Sequence, residues 1–202
     1  MNVFATPGDV FDEVLASPRT LLNWFVPTLL VSLAWLLLTN STAQESISQT
    51  VADTQLDKTR ITSYMLASLT VFVSTLLATC WSAFVLWFIG RVFLKTRFSY
   101  LKTLEIVGLV QMVLVLGTIV TVLLLTFLGE PAARPALSFI ALKLDFTNPL
   151  RRSLEVLNFF HLWSAALLTL GLSRLSGVAY KECAFWVFGF WIVFRLALAL
   201  LR

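Results

Sequence analysis

The chain has 202 residues, of which 58% are hydrophobic and only 13% charged, and its formal net charge is +4. A soluble domain is about half apolar and a quarter charged, so this composition excludes an ordinary soluble protein. Together with a mean hydropathy of +0.87, it indicates an integral membrane protein. The two cysteines have neither metal-ligand spacing nor the density of a disulfide scaffold, and we expect both to be reduced.

Residues 1–20 are predicted to form a short amphipathic helix at the membrane interface. Thr6 can cap this helix, and Pro7 suits its first turn. The apolar face consists of Val10, Phe11, Val14 and Leu15. The opposite face is acidic, so we expect the helix to lie with its apolar side toward the membrane. The segment has no basic start and no continuous apolar stretch, and we expect it to be retained and not removed as a signal peptide.

Residues 21–202 are predicted to form a membrane domain of five transmembrane helices. A spanning helix needs about 20 mostly apolar residues. Five segments meet that requirement, at about 21–39, 64–90, 104–128, 156–173 and 183–201. The predicted fold is therefore all-α: a polytopic membrane bundle preceded by the amphipathic segment.

The short connection between the second and third crossings, residues 91–102, predicts the orientation. We call it the basic connection, and its bases are Arg91, Lys95, Arg97 and Lys102. Basic residues concentrate in short cytoplasmic loops. The connection therefore predicts a cytoplasmic N-terminus, a C-terminus on the opposite side, and external loops at 39–62 and 129–155. The orientation depends on this one connection, because the loop at 129–155 is also rich in bases.

The sequence offers no catalytic, cofactor or metal site. His161 is the only histidine, and the positions three and four residues later hold Ser164 and Ala165. We expect an interfacial or structural role for it. A glycine-rich phosphate loop, a histidine pair on a helix and a nucleophile elbow are all missing from the sequence. This pattern favours a protein that is not an enzyme.

Three polar residues in the predicted crossings have structural interpretations. We expect Glu105, at the start of the third crossing, to pair with a base of the loop. Gln111 is expected to hydrogen-bond across helices. Arg195 either extends toward the outer interface or pairs with Asp145 or Glu155.

Small residues predict where helices approach closely. On the third crossing these are Gly108 and Gly117. On the second crossing they recur at helical spacing, as Ser68, Ser74, Ala78 and Ser82.

The whole pattern resembles the Yip family, the Ypt/Rab-interacting membrane proteins. The amphipathic lead, with Pro7, Phe11 and Pro18, the five crossings and the basic connection all contribute to the resemblance. Its most specific part is the last hairpin, with Phe160, Trp163, Gly171, Leu172, Gly177, Lys181 and Ala184. In that hairpin we expect Trp163, Gly171 and Gly177 to set the packing and the turn.

The resemblance implies a multi-pass, non-enzymatic membrane protein with a cytosolic N-terminus. Eukaryotic relatives bind prenylated Rab-type GTPases and carry a long polar region before the first helix. Here only residues 1–20 precede it, which is similar to the bacterial branch of the family. We therefore expect the bacterial inner membrane, and a Rab-type partner only if the host is eukaryotic.

Two functions remain open at this point. The first is a membrane scaffold or adaptor whose basic connection holds a protein partner or anionic lipid. The alternative is a small transporter or channel subunit in which Gln111, His161 and Arg195 line a polar path. Expected partners are membrane lipid and other membrane proteins or a second copy of the chain. Nucleic acid is not expected, since anionic lipid accounts for the bases.

Overall fold

A computed structural model describes residues 4–18, 20–48, 58–128 and 158–200. Within these ranges the chain forms helices and no strand. In chain order they are α1 (Pro7–Ala16), α2 (Leu22–Ser48), α3 (Lys58–Phe88), a π-helical turn (Ile89–Phe93), α4 (Tyr100–Leu128), α5 (Phe159–Ser176) and α6 (Tyr180–Leu200). The all-α prediction is confirmed.

Each of the five predicted crossings coincides with a described helix. Among the described residues, three helical segments are long and apolar enough to cross a membrane: Leu22–Thr39, Met65–Phe93 and Tyr100–Phe127. They support a membrane protein. The other two predicted crossings correspond to α5 and α6, and the total of five stays a prediction.

Helices extend into the predicted external loop at 39–62 from both ends, since α2 continues to Ser48 and α3 begins at Lys58. The apolar spans themselves end at Thr39 and begin at Met65, and the external placement of the loop stays a prediction. Hydropathy marks the part of a helix that suits lipid, whereas Ser, Thr and Gln lower hydropathy without preventing a helix. The predicted loop at 129–155, with Asp145 and Glu155, lies outside the described residues.

Helix α4 is the centre of the described structure and contacts α1, α2, α3 and α5. Residues 103–111 of α4 are buried on every side, as expected for a helix enclosed by others. Two apolar clusters flank it. The first contains Val10, Phe11, Val14, Ile106, Leu109, Val110, Val113, Phe160 and Leu167. The second contains Ala83, Leu86, Ile89, Leu104, Val107, Leu172, Cys183 and Val187.

Glycines allow α2 and α5 to approach α4 closely. A Cβ at Gly108 would lie 2.3 Å from Trp24 Cα, and one at Gly117 would lie 2.8 Å from Phe160 Cγ. The predicted close approach at these two glycines is confirmed. By contrast, Ser74, Ala78 and Ser82 of α3 are exposed, so no described part of the chain covers that surface.

The apolar face of α1 packs inside the protein, so the expectation that this side faces the membrane is wrong. Val10, Phe11 and Val14 are all at most 3% exposed, against α4 and α5. The helix begins at Pro7, as predicted, but the Thr6 side chain makes no capping hydrogen bond. That α1 lies at the membrane interface stays a prediction.

Local signals define the hairpin of α5 and α6. The Asn158 side chain accepts a hydrogen bond from Phe160 N (2.9 Å) at the start of α5. Gly177 ends α5 with φ 69°, in the left-handed region that favours glycine. The Ser173 hydroxyl donates to Val178 O (2.7 Å), which fixes the turn into α6.

The glycine contact gives a matched pair of variants. Gly108→Ala places a methyl group against the α2 backbone, which cannot rotate away. We expect the free energy of unfolding in detergent to fall by about 2–3 kcal/mol. Gly189→Ala is the control, because a Cβ at this exposed helical glycine meets nothing within 4 Å. It should leave stability unchanged or raise it by up to about 1 kcal/mol. Equal stability of the two variants would contradict the close approach.

Candidate functional site

The basic connection has a defined backbone conformation. Leu94 N donates to Ile89 O (3.2 Å), a bond that closes the π-helical turn. Thr96 donates to Gly90 O through both its backbone N and its hydroxyl, each at 3.0 Å. Lys95 has a φ of 54°, an uncommon conformation for a residue with a side chain. The connection is therefore folded back on the end of α3.

Three of its four bases are exposed: Arg91, Lys95 and Arg97. The Arg91 guanidinium lies 5.6 Å from the centre of the Trp87 ring, within cation–π distance. A cation–π contact orients a guanidinium and leaves its charge available. These three residues form what we call the basic face.

Lys102 differs from this face, because its side chain is only 13% exposed. Its ammonium donates to Val14 O (2.7 Å) and Ser17 O (2.9 Å) and pairs with Glu105 Oε2 (3.1 Å). Both carbonyls lie at the C-terminal end of α1, where a helix leaves its carbonyl oxygens unpaired. Lys102 therefore attaches α1 to α4. Of the four bases of the basic connection, Lys102 is the one whose charge is used inside the protein.

Glu105 completes the attachment. It is 2% exposed, and its second oxygen, Oε1, accepts a hydrogen bond from Thr20 N (3.0 Å). The predicted pairing of Glu105 with a base is confirmed. We call Lys102 and Glu105 the α1 clamp. Removing one partner of a buried ion pair costs about 3–5 kcal/mol, because the other charge is left unpaired.

A second ion pair joins α1 to α5. Arg174 Nη1 lies 3.1 Å from Asp12 Oδ2, and both side chains are about half exposed, at 46% and 49%. Exposed pairs contribute roughly 0–1 kcal/mol, so the clamp is the stronger link.

Gln111 takes part in a polar contact among three helices. Its Nε2 donates to Thr79 Oγ1 of α3, and its Oε1 is buried and has no hydrogen-bond partner within the described part of the chain. The Thr79 hydroxyl donates to Thr75 O (2.8 Å) and lies 3.5 Å from the Thr28 hydroxyl of α2. The amide therefore joins α4 to α3.

The other nominated residues lie on α5 and α6. His161 is half-buried in the first turn of α5, and its carbonyl accepts from Ser164 Oγ (2.8 Å). Trp163 lies against Phe4, with ring centres 6.0 Å apart. A Cβ at Gly171 would lie 2.4 Å from Ile106 Cγ2. The Arg195 side chain is outside the described part of the structure. Among the described residues, no group of three His, Cys, Asp or Glu could hold a metal.

A groove beside the basic connection was not predicted from the sequence. It has a volume of about 480 Å³ and is lined by Phe93, Leu94, Lys181, Glu182, Phe185 and Trp186. We call it the aromatic groove. It lies between the π-helical turn and the first turns of α6, which are more than 80 residues apart in sequence. Only the fold brings them together.

The comparison with protein families matches the Yip1 domain over residues 1–201. The chain belongs to the Yip1 domain family. No curated protein and no solved structure is significantly similar to it. The family match and the three apolar helices together identify a Yip1 membrane protein.

Several residues that carry the resemblance to the Yip1 family lie where α5 meets its neighbours. Phe160 packs on Gly117 and Gly171 on Ile106, while Leu172 is fully buried in the second cluster. Lys181 is instead exposed at the aromatic groove. Packing thus accounts for the first three residues and leaves Lys181 without a structural role.

The α1 clamp predicts an unequal effect of two lysine substitutions. Lys102→Met leaves the Glu105 carboxylate and the carbonyls of Val14 and Ser17, at the end of α1, without their cation. We expect a loss of about 2–4 kcal/mol in the free energy of unfolding, since Lys102 is partly accessible to solvent. Lys95→Met, at an exposed position in the same connection, should change it by less than about 0.5 kcal/mol. Similar effects of the two would show that Lys102 holds nothing in place.

Proposed function

We propose that this Yip1 protein is a non-enzymatic membrane scaffold or adaptor that presents the basic face to a protein partner or to anionic lipid. The observation that supports this proposal most is that the four bases of the basic connection have different roles. Lys102 is used internally, whereas Arg91, Lys95 and Arg97 are exposed on a folded connection. Across the described residues, the ion pairs are those of Lys102 and Arg174, so the basic face keeps its charge for another molecule.

The ordered backbone of the basic connection favours a role in binding another molecule over that of a loop that is only solvated. The bonds to Gly90 O and the Trp87 contact hold the connection in one conformation. An ordered surface loses less conformational entropy on binding than a flexible one. An adaptor of this kind gains affinity without a deep pocket.

We further propose five crossings, with the N-terminus and the basic face cytoplasmic and the C-terminus on the other side of a bacterial inner membrane. The 18 residues of α5 and the 21 residues of α6 correspond to about 27 and 32 Å of helix. These lengths suit a hydrocarbon core of about 30 Å. The dense bases of the connection support its cytoplasmic placement. Rab-type GTPases would be partners only in a eukaryotic host.

Cysteine labelling tests this orientation. In a Cys80→Ala/Cys183→Ala background, Arg202→Cys should react with a membrane-impermeant maleimide in intact cells. Lys95→Cys should react only after permeabilisation. Ser74→Cys, on the exposed lipid-facing side of α3, is the unreactive control. If positions 95 and 202 react from the same side, the number of crossings between them must be even, which would contradict the proposed three.

Crosslinking in the native membrane tests the adaptor. We expect Arg91→Gln/Lys95→Gln/Arg97→Gln to reduce recovery of a specific protein or lipid about ten-fold. That corresponds to about 1.4 kcal/mol, or roughly 0.5 kcal/mol for each exposed charge pair. Asp9→Asn/Glu13→Gln is the control, because it neutralises exposed charges on α1. An identical set of partners for wild type and the triple variant would overturn the basic face.

The alternative, a small transporter, receives less support from these contacts. Its predicted path used Gln111, His161 and Arg195. The Gln111 amide bonds to Thr79 on the side of α4 that faces α2 and α3, whereas His161 belongs to α5. A bonded amide between packed helices supports a packing role. Solute or ion flux in liposomes that contain the purified protein would reverse this preference.

A further inference from the structure

The aromatic groove has a rigid apolar wall. Phe93 and Trp186 lie with ring centres 4.1 Å apart, and Phe93 also contacts Phe190 at 5.6 Å. Phe185, which is 71% exposed, extends the same wall outward. These contacts join the π-helical turn to α6. Packing between these two elements therefore holds the Phe93 and Trp186 part of the wall, and Phe185 adds an exposed ring to it.

The mouth of the groove is charged. Lys181 and Glu182 line it and are exposed. Lys95 follows Leu94 of the lining directly, so the basic connection begins at the edge of the groove. Lys181 and Lys95 thus outnumber the one carboxylate, Glu182. This balance favours an anionic ligand.

The position of the groove relative to the membrane limits the kinds of ligand that it could bind. The apolar segment formed by α3 and the π-helical turn ends at Phe93, and that of α4 begins at Tyr100. The connection between them lies where the hydrocarbon core would end. The Trp87 and Tyr100 rings, 6.5 Å apart, suit that boundary, where Trp and Tyr are enriched. A ligand here has an apolar part toward the aromatic wall and a polar part toward Lys181.

We propose that the aromatic groove binds one anionic phospholipid of the surrounding leaflet, with its phosphate on Lys181 and its acyl chains along Phe93, Phe185 and Trp186. Glu182 accepts a hydrogen bond from a headgroup hydroxyl. A volume of about 480 Å³ lies within the roughly 300–1,000 Å³ of small-molecule sites. This proposal shares with the proposed adaptor function only the idea that the protein binds anionic lipid. The two use different residues, because Lys181 is not part of the basic face.

Native mass spectrometry of the full chain tests the groove. The detergent-purified protein is mixed with equal amounts of phosphatidylglycerol, phosphatidylethanolamine and phosphatidylcholine. We expect phosphatidylglycerol to be retained preferentially. Lys181→Gln should lower this preference about five-fold, which corresponds to about 1 kcal/mol for one basic residue at a lipid surface. Lys181→Arg should restore it.

Two further variants make the test specific. Arg97→Gln removes one exposed charge from the basic face, outside the groove, and should lower the preference less than two-fold. Glu182→Gln should leave it unchanged or raise it. Equal losses of the phosphatidylglycerol preference in Lys181→Gln and Arg97→Gln would overturn the proposed site. They would indicate a general electrostatic attraction between the basic residues and anionic lipid. Preferential retention of phosphatidylethanolamine that is lost in Glu182→Gln would overturn the anionic headgroup, because the carboxylate would then bind an ammonium group.

The experiments can reject the lipid site in the aromatic groove and the adaptor function of the basic face independently of each other. The crosslinking variant keeps Lys181, and Lys181→Gln keeps the basic face. Lys181 is exposed, so its substitution should leave the thermal unfolding midpoint without added lipid unchanged. An unchanged lipid preference in Lys181→Gln at an unchanged midpoint overturns the groove and leaves the adaptor untouched.

Discussion

The close approach of helices to α4 is the constraint on which the other contacts depend. In lipid there is no hydrophobic effect to drive helices together, so association relies on packing and on interhelical hydrogen bonds. Gly108 brings the α2 backbone against α4, and Gly171 brings α5 against it. With those distances set, Gln111 can reach Thr79, and both apolar clusters can close. A methyl group at Gly108 would therefore disturb contacts well beyond its own position.

The α1 clamp uses this central helix in a different way. Lys102 and Glu105 lie at the start of α4, and they hold the end of α1 and the chain that follows it. One buried ion pair fixes the entry to α2 because each charge also serves backbone groups. It also explains why four neighbouring bases do not behave alike. Lys102 stabilises the fold, whereas Arg91, Lys95 and Arg97 are left to other molecules.

The sequence predicted the features that depend on local composition. Apolar runs located the helices, Gly108 indicated a close contact, and the place of Glu105 at a helix start indicated an ion pair. Hydropathy could not show how far α2 continues past residue 39, since it measures suitability for lipid. Charge and hydropathy also do not distinguish Lys102 from Lys95, because both are lysines in the same connection. Only the docking of α1, 88 residues earlier in the chain at Val14, distinguishes the two.

The same separation along the chain has a consequence for biosynthesis. Ribosomes add about 5–20 residues per second, so α1 emerges at least several seconds before Lys102 and longer before Leu167 of α5. Until then the partners that its apolar face has among the described residues, on α4 and α5, are not yet in place, and a membrane surface can cover that face. The amphipathic pattern thus suits two successive environments. A docked α1 marks a chain whose later helices have been inserted and packed.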